Sequence, residues 1–130
     1  MPIASYRDLE VYQRAMTALV EVHKLALALP DYERFGLTDQ VRRSSKSIPA
    51  NIAEGYGRRK STREFKHYLT LALGSANETI VHLEIARALT YGDPVATAAL
   101  IESYTVICKM LYRLIEAWHS QPTTKPNSQP

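Results

Sequence analysis

Two short sequences carry metal-ligand chemistry by residue type and spacing: EFKH, with Glu64 and His67, and EAWH, with Glu116 and His119. Di-iron carboxylate bundles take a Glu-x-x-His pair from each of two helices and one Glu from each of the other two. Here one pair opens a helical segment and the other closes the next, so an antiparallel bundle would bring them to the same end. The helical phase opposes that reading. With Phe65, Leu69, Ala72 and Ala76 turned inward, Glu64 and His67 face away. Glu116 points off the apolar stripe of its own helix, and His119 stands at a frayed end. A metal-binding carboxylate-bundle enzyme is therefore the outside reading, and no metal or other cofactor is expected. His23 and His82 lack a matched ligand set and read as packing or surface residues. Cys108, the sole cysteine, falls in an apolar stripe, where a buried thiol is usually inert. No nucleophile has a base oriented by a third group, so the chain reads as non-enzymatic.

Anion binding is the second chemistry. Residues 1–41 carry four basic and six acidic side chains, and residues 68–130 carry four and five. Residues 42–67 carry eight basic ones (Arg42, Arg43, Lys46, Arg58, Arg59, Lys60, Arg63 and Lys66) against Glu54 and Glu64, a net +6 in a chain whose total is +3. Such a concentration suits a polyanionic partner, although a basic helix–loop–helix corner is as often only a solvated surface. Inside it lies SIPANIAEGYGRR, residues 47–59. GYG matches neither a P-loop nor a dinucleotide fingerprint, and no strand precedes it. Arg58, Arg59, Lys60 and Arg63 crowd the start of the next helix, where free amides and the positive dipole end favour phosphate or sulfate. Tyr56, between Gly55 and Gly57, either stacks on a base or packs over the corner. The expected nucleic-acid contacts are Arg42, Lys46, Arg58, Arg59, Lys60, Arg63 and Lys66, with Tyr56. Helical phase separates Arg43 from Arg42 and Lys46 and leaves it to pair with Glu54.

Helices must position these groups. A chain of 130 residues, 45% hydrophobic and 22% charged, fits one domain with a workable core. Four segments have helical spacing and none alternates like a strand. The first opens at Ser5, with Asp8 three residues on as an acidic capping box, and runs to Leu29 before Pro30. It carries two apolar stripes, one with Tyr12, Met16 and Leu19, the other with Val11, Ala15, Ala18 and Val22. One stripe lines a core; the second predicts a homo-oligomer interface. The second helix begins near Thr38, with Leu37, Val41, Ile48 and Ile52 inward, and is predicted to kink at Pro49 rather than break. Ser44 or Ser45 would then satisfy the carbonyl that Pro49 frees. Arg43, Ser47, Ala50 and Glu54 fall on its outer face, where Ser47 and Ala50 are small enough to let another helix approach closely. The third opens with the capping box STRE, Ser61 to Glu64, and runs to Tyr91, with Gly92 as the stop. The fourth opens with Asp93 and Pro94 and repeats Ile101, Tyr104, Cys108, Leu111, Ile115 and Trp118. The prediction is an all-α, antiparallel up-down four-helix bundle over 1–118 and a disordered, proline-rich tail over 119–130. The polar start does not read as a secretory signal. No apolar run approaches the ~18–20 residues that span a bilayer. The lone cysteine fits a cytoplasmic setting.

YRDLEVYQRA (6–15), QVRRSSKSIPANIAEGYGR (40–58), EFKHYLTLALGSANE (64–78) and LEIARALTYG (83–92), in this order, resemble the four-helix-bundle proteins encoded in intervening sequences of bacterial 23S ribosomal RNA genes. More distantly, the chain is similar to the accessory bundle proteins of diversity-generating retroelements, which work beside a reverse transcriptase and bind nucleic acid. The first resemblance implies the ring-shaped homopentamer common in that family, which has no known enzymatic activity. It also implies that Arg42, Arg43, Ser47, Pro49, Asn51, Glu54, Gly55, Arg58, Gly74, Ser75 and Glu78 are motif positions. The expected function is binding of structured RNA or DNA through the basic corner between helices two and three. The alternative is a scaffold that recruits a partner protein such as a polymerase. No membrane partner is expected.

Overall fold

The computed structural model describes residues 3–120, without the side chains of the last two. Four helices make up the described residues: α1 Glu10–Ala26, α2 Leu37–Gly57, α3 Thr62–Ala88 and α4 Pro94–Ser120. There is no strand among them. Among the described residues the backbones approach closely between α1 and α2, α2 and α3, α3 and α4, and α4 and α1, and not across the diagonals, so the helices form a cycle around one core. α4 runs two residues past the boundary drawn at 118, and the rest of the expected tail, 121–130, lies outside the described residues.

The helix ends follow local chemistry, with three departures from the sequence reading. The Ser5–Asp8 capping box forms, yet it closes only a single 3-10 turn, Tyr6–Asp8. Leu9 then adopts an extended conformation (φ −72°, ψ 125°), and α1 starts at Glu10 rather than Ser5. Ser61 Oγ caps α3 through the Glu64 amide at 3.2 Å. The Glu64 carboxylate turns to Arg58 at 2.9 Å instead of completing the box. α3 stops earlier than Tyr91. The amide of Tyr91 donates to the Ala86 carbonyl and that of Thr90 to the Arg87 carbonyl, the Schellman pattern. Thr90, not glycine, takes the left-handed position between them at φ 59°. Asp93 and Pro94 start α4 as the spacing predicts, Asp93 Oδ1 accepting from the Val95 amide.

Inward faces agree closely with the helical phase. Leu37, Val41, Ile48 and Ile52 of α2 and Phe65, Leu69, Ala72, Ala76 and Leu83 of α3 are buried. In α1 the stripe Val11, Ala15, Ala18, Val22 goes inward, and Met16 and Val20 stay exposed. The α4 face is rotated from the predicted one: Leu100 and Ile107 join Tyr104, Leu111 and Ile115 in the core, with Ile101 and Cys108 only half-buried. Burial pushes the Cys108 thiol pKa up. By length and mean hydropathy (1.3 over Pro94–Trp118) α4 would reach across a bilayer, which the sequence reading did not anticipate. In the bundle its inner face packs against the other helices, Trp118 meeting the Phe65 ring edge-on at 4.5 Å.

The α2–α3 seam is the tightest feature of the bundle. As numbers rise along α2 they fall along α3: Ser44 faces Thr79, Ser47 faces Ser75, and Gly55 faces Phe65 and Tyr68. A Cβ on Gly55 would sit 2.8 Å from Tyr68 Cβ and 3.2 Å from a Phe65 ring carbon, so only glycine permits this approach. Small hydroxyl side chains fill the rest. The Ser44 and Thr79 hydroxyls, both buried, lie 2.8 Å apart, and Ser75 Oγ donates to Ser47 Oγ at 2.9 Å. Asn51 Nδ2 donates to Ser47 Oγ and to the Ser47 carbonyl, each at 2.9 Å. Ser47 therefore lies in the seam rather than facing solvent, its small side chain admitting the close approach of a second helix that the sequence suggested, here α3. Pro49 is buried within a continuous α2. Neither neighbouring hydroxyl turns to the carbonyl it frees, since Ser44 donates to Val41 and Ser45 to Arg42.

Gly55→Ala should lower unfolding stability in urea by about 1–2 kcal/mol, overpacking of about 1–3 kcal/mol outweighing the helix-propensity gain of about 1. Thr90→Gly should raise it by about 1 kcal/mol in the same assay, by relieving a β-branched residue at positive φ.

Candidate nucleic-acid interface

The seam determines where the cations stand. By ending α2 against the first turns of α3, Gly55 makes a tight corner, and Arg58–Ser61 crosses it. Arg58 is built into that corner. Its Nε donates to Glu54 Oε2 at 2.8 Å, its Nη1 to Glu64 Oε1 at 2.9 Å, and its guanidinium lies 5.2 Å from the Tyr68 ring centre. Hydrogen bonds to Glu54 and then Glu64 hold the Arg58 pKa still higher than usual. Arg58 thus ties two helices together and neutralises the only two carboxylates of the basic stretch.

Tyr56 offers no open face for a base. It is buried in the core, and Arg59 lies over its ring at 4.0 Å while donating to the Tyr56 carbonyl at 3.0 Å. The sequence left stacking and packing open for this residue, and the structure has it packed.

Lys60 and Arg63 are exposed, with no carboxylate within ion-pair distance among the described residues. Lys66 is half-buried. A shallow groove on the first turns of α3 is lined by Thr62, Arg63, Lys66, His67 and Thr70. This groove joins cations to hydroxyls on one side of the helix, directly after the corner. His67 and Glu64, the pair that suggested a metal, are separated in use: Glu64 holds Arg58, and the His67 ring meets Tyr68 edge-on at 5.3 Å. Among the described residues no three His, Cys, Asp or Glu side chains converge.

The remaining cations do not reach the corner. Arg42 stands ~24 Å from Arg58 along α2, at 1.5 Å per residue. It lines a groove between α1 and α2 with Leu19, Val20 and Leu27. Lys46 follows one turn on and is exposed. Arg43 pairs with Asp39 at 2.7 Å, not with Glu54, which stands ~16 Å further along α2 at 1.5 Å per residue, beyond the reach of the side chain. The basic stretch is thus two sites in space: a corner group of Arg59, Lys60, Arg63 and Lys66, and a separate pair of Arg42 and Lys46.

The other motif positions take structural places or none inside the chain. Ser47, Asn51, Gly55 and Ser75 form the seam. Glu78 is on the outside of α3, 3.1 Å from His82 Nε2, and a Cβ on Gly74 would meet nothing within 4 Å. Sequence reasoning missed a polar cluster at the opposite end. Tyr91 donates to Glu33 Oε2 at 2.9 Å, Glu33 Oε1 caps the Leu37 amide at 3.1 Å, and the Tyr32 and Tyr91 hydroxyls meet at 3.1 Å. These contacts push the Tyr91 phenol pKa up, the bond to Tyr32 most of all. No local pattern marks them, since the partners lie 58 and 59 residues apart.

A similar fold occurs in a crystal structure of a protein of unknown function from the S23 ribosomal protein family of Bacteroides thetaiotaomicron. It is 29% identical, with a TM-score of 0.74 over 82% of this chain and 98% of the other. No curated protein matches the chain. Residues 7–113 match the family model described as 23S rRNA-intervening sequence protein. With the four-helix fold and the seam motif in place, this chain belongs to the 23S rRNA-intervening sequence protein family.

Proposed function

We propose that the protein is a non-enzymatic, homo-oligomeric helical bundle that binds structured RNA or DNA through phosphate contacts at the α2–α3 corner. The observation that carries this reading is the uncompensated charge there. Arg58 takes up both local carboxylates, and Lys60 and Arg63 stand exposed beside the positive end of α3 with no carboxylate within ion-pair distance among the described residues. The dipole disfavours such cations unless an anion is to be met. Contacts of this kind read phosphates rather than sequence.

In this reading the helices run alternately up and down, which the facing residues of α2 and α3 support. The missing Pro49 donor supports a bend in α2. Copies assemble as a ring, five in number by family resemblance, so each weak corner contact repeats and avidity strengthens the whole. A second reading, a scaffold that recruits a partner protein, is favoured by the exposed apolar side chains of α1 and α3.

Binding of mixed-sequence duplex RNA and DNA, measured at several salt concentrations, tests the first reading. Affinity should fall steeply with salt, and Lys60→Ala/Arg63→Ala should make the log–log slope shallower by about 2, one for each phosphate that is no longer neutralised. No binding to either nucleic acid at low salt would remove the reading.

A further inference from the structure

The side of α3 turned away from the core is apolar over its second half. Val81, Ile85 and Leu89 are 50%, 39% and 49% exposed and recur every four residues, with Glu78 just before them. One turn earlier Gly74 stands in the middle of the helix, and nothing inside the chain calls for a glycine there. Glycine weakens a helix interior, and what it permits is a close approach by another backbone. A groove of complementary character lies elsewhere on the bundle, between α1 and α2. Its lining on α1 includes the apolar side chains Leu19, Val20 and Leu27 beside His23 and Lys24, and α2 contributes Thr38 and Arg42. Arg42 has no carboxylate within ion-pair distance among the described residues.

We propose that these two faces are made for each other on successive copies of this chain. The α3 ridge of one copy seats in the α1–α2 groove of the next, Glu78 meets Arg42 and Lys46, and Gly74 lets the neighbour's α2 approach at Ala50. The inference rests on the homo-oligomer half of the proposed function and adds the faces that join.

Level and charge both carry it. Ser44 faces Thr79 and Ser47 faces Ser75 within one chain. Val81 and Ile85 therefore lie at the height of Thr38–Arg42, the α2 part of the groove. Glu78 lies at the height of Ser44 and Ser45, between Arg42 and Lys46, and Gly74 at that of Ile48 and Pro49, next to Ala50. A rotation about an axis parallel to the helices thus brings ridge to groove with no shift along them. Because the two faces differ, the contact is head-to-tail, and a rotation that closes makes a ring. Pairing α3 with itself about a two-fold axis would instead bury Glu78 among apolar neighbours, with no lysine or arginine of the ridge to meet it.

Sedimentation velocity on the full chain at micromolar concentration tests this. Wild type should sediment as a multiple of the 14.7 kDa chain. Gly74→Leu and Arg42→Glu should each shift it to single-chain mass, with a rise of at least tenfold in the dissociation constant. Arg42→Glu/Glu78→Arg should restore the assembly. The substituted positions are exposed, so an unchanged far-UV circular dichroism spectrum and a cooperative melt will show that the variants fold. A wild-type assembly indifferent to both single substitutions overturns this inference alone. A monomeric wild type overturns the homo-oligomer reading with it.

Discussion

The close approach of α2 to α3 at Gly55 is the constraint on which the rest of the bundle depends. Two helix backbones meet there with no room for one methyl group. Further along, hydroxyl pairs replace the larger apolar side chains that would force the helices apart. Burying hydroxyls is tolerable only because each finds a partner, Ser44 with Thr79 and Ser47 with Ser75. Such a seam is narrow and specific in register. A slip by one turn would leave these hydroxyls unpaired and set a side chain against Tyr68.

From the seam follows the use of the charges. The corner is short because α2 ends against α3, so Arg58 can reach a carboxylate on each helix. That neutralisation leaves the cations on the first turns of α3 as the net field of the corner. It also separates them from Arg42 and Lys46, which the linear sequence groups with them. The same seam leaves Val81, Ile85 and Leu89 of α3 exposed at the level of the α1–α2 groove. The proposed anion contacts and the proposed contact between copies thereby fall on different surfaces.

Much of the fold was legible because helical phase is a local property. Val41, Ile48 and Ile52 kept one face across Pro49, and the Asp93–Pro94 start was read from two residues. The errors came where a longer-range partner decided the outcome. Glu64 was assigned to a capping box, but Arg58, approaching from the corner, claims its carboxylate. Arg43 was assigned to Glu54, which lies ~16 Å away along α2, and pairs instead with Asp39, one turn earlier. Ser47 was placed outside because an α2 wheel alone does not show where α3 lies. Thr90 was passed over as the helix stop in favour of Gly92, since propensity favours glycine at positive φ. At the candidate site, sequence identified the cations and their excess. It could not show that Tyr56 is packed beneath Arg59, or that the basic stretch divides in space.

The central claim is that the motif of α2 serves packing while the first turns of α3 meet the anion. Amide chemical-shift mapping of the labelled protein, titrated with a short RNA duplex, tests it most directly. The account predicts perturbations concentrated on residues 59–70, with Ser44–Asn51 unmoved. Perturbations centred on 42–55, with the start of α3 silent, would contradict it.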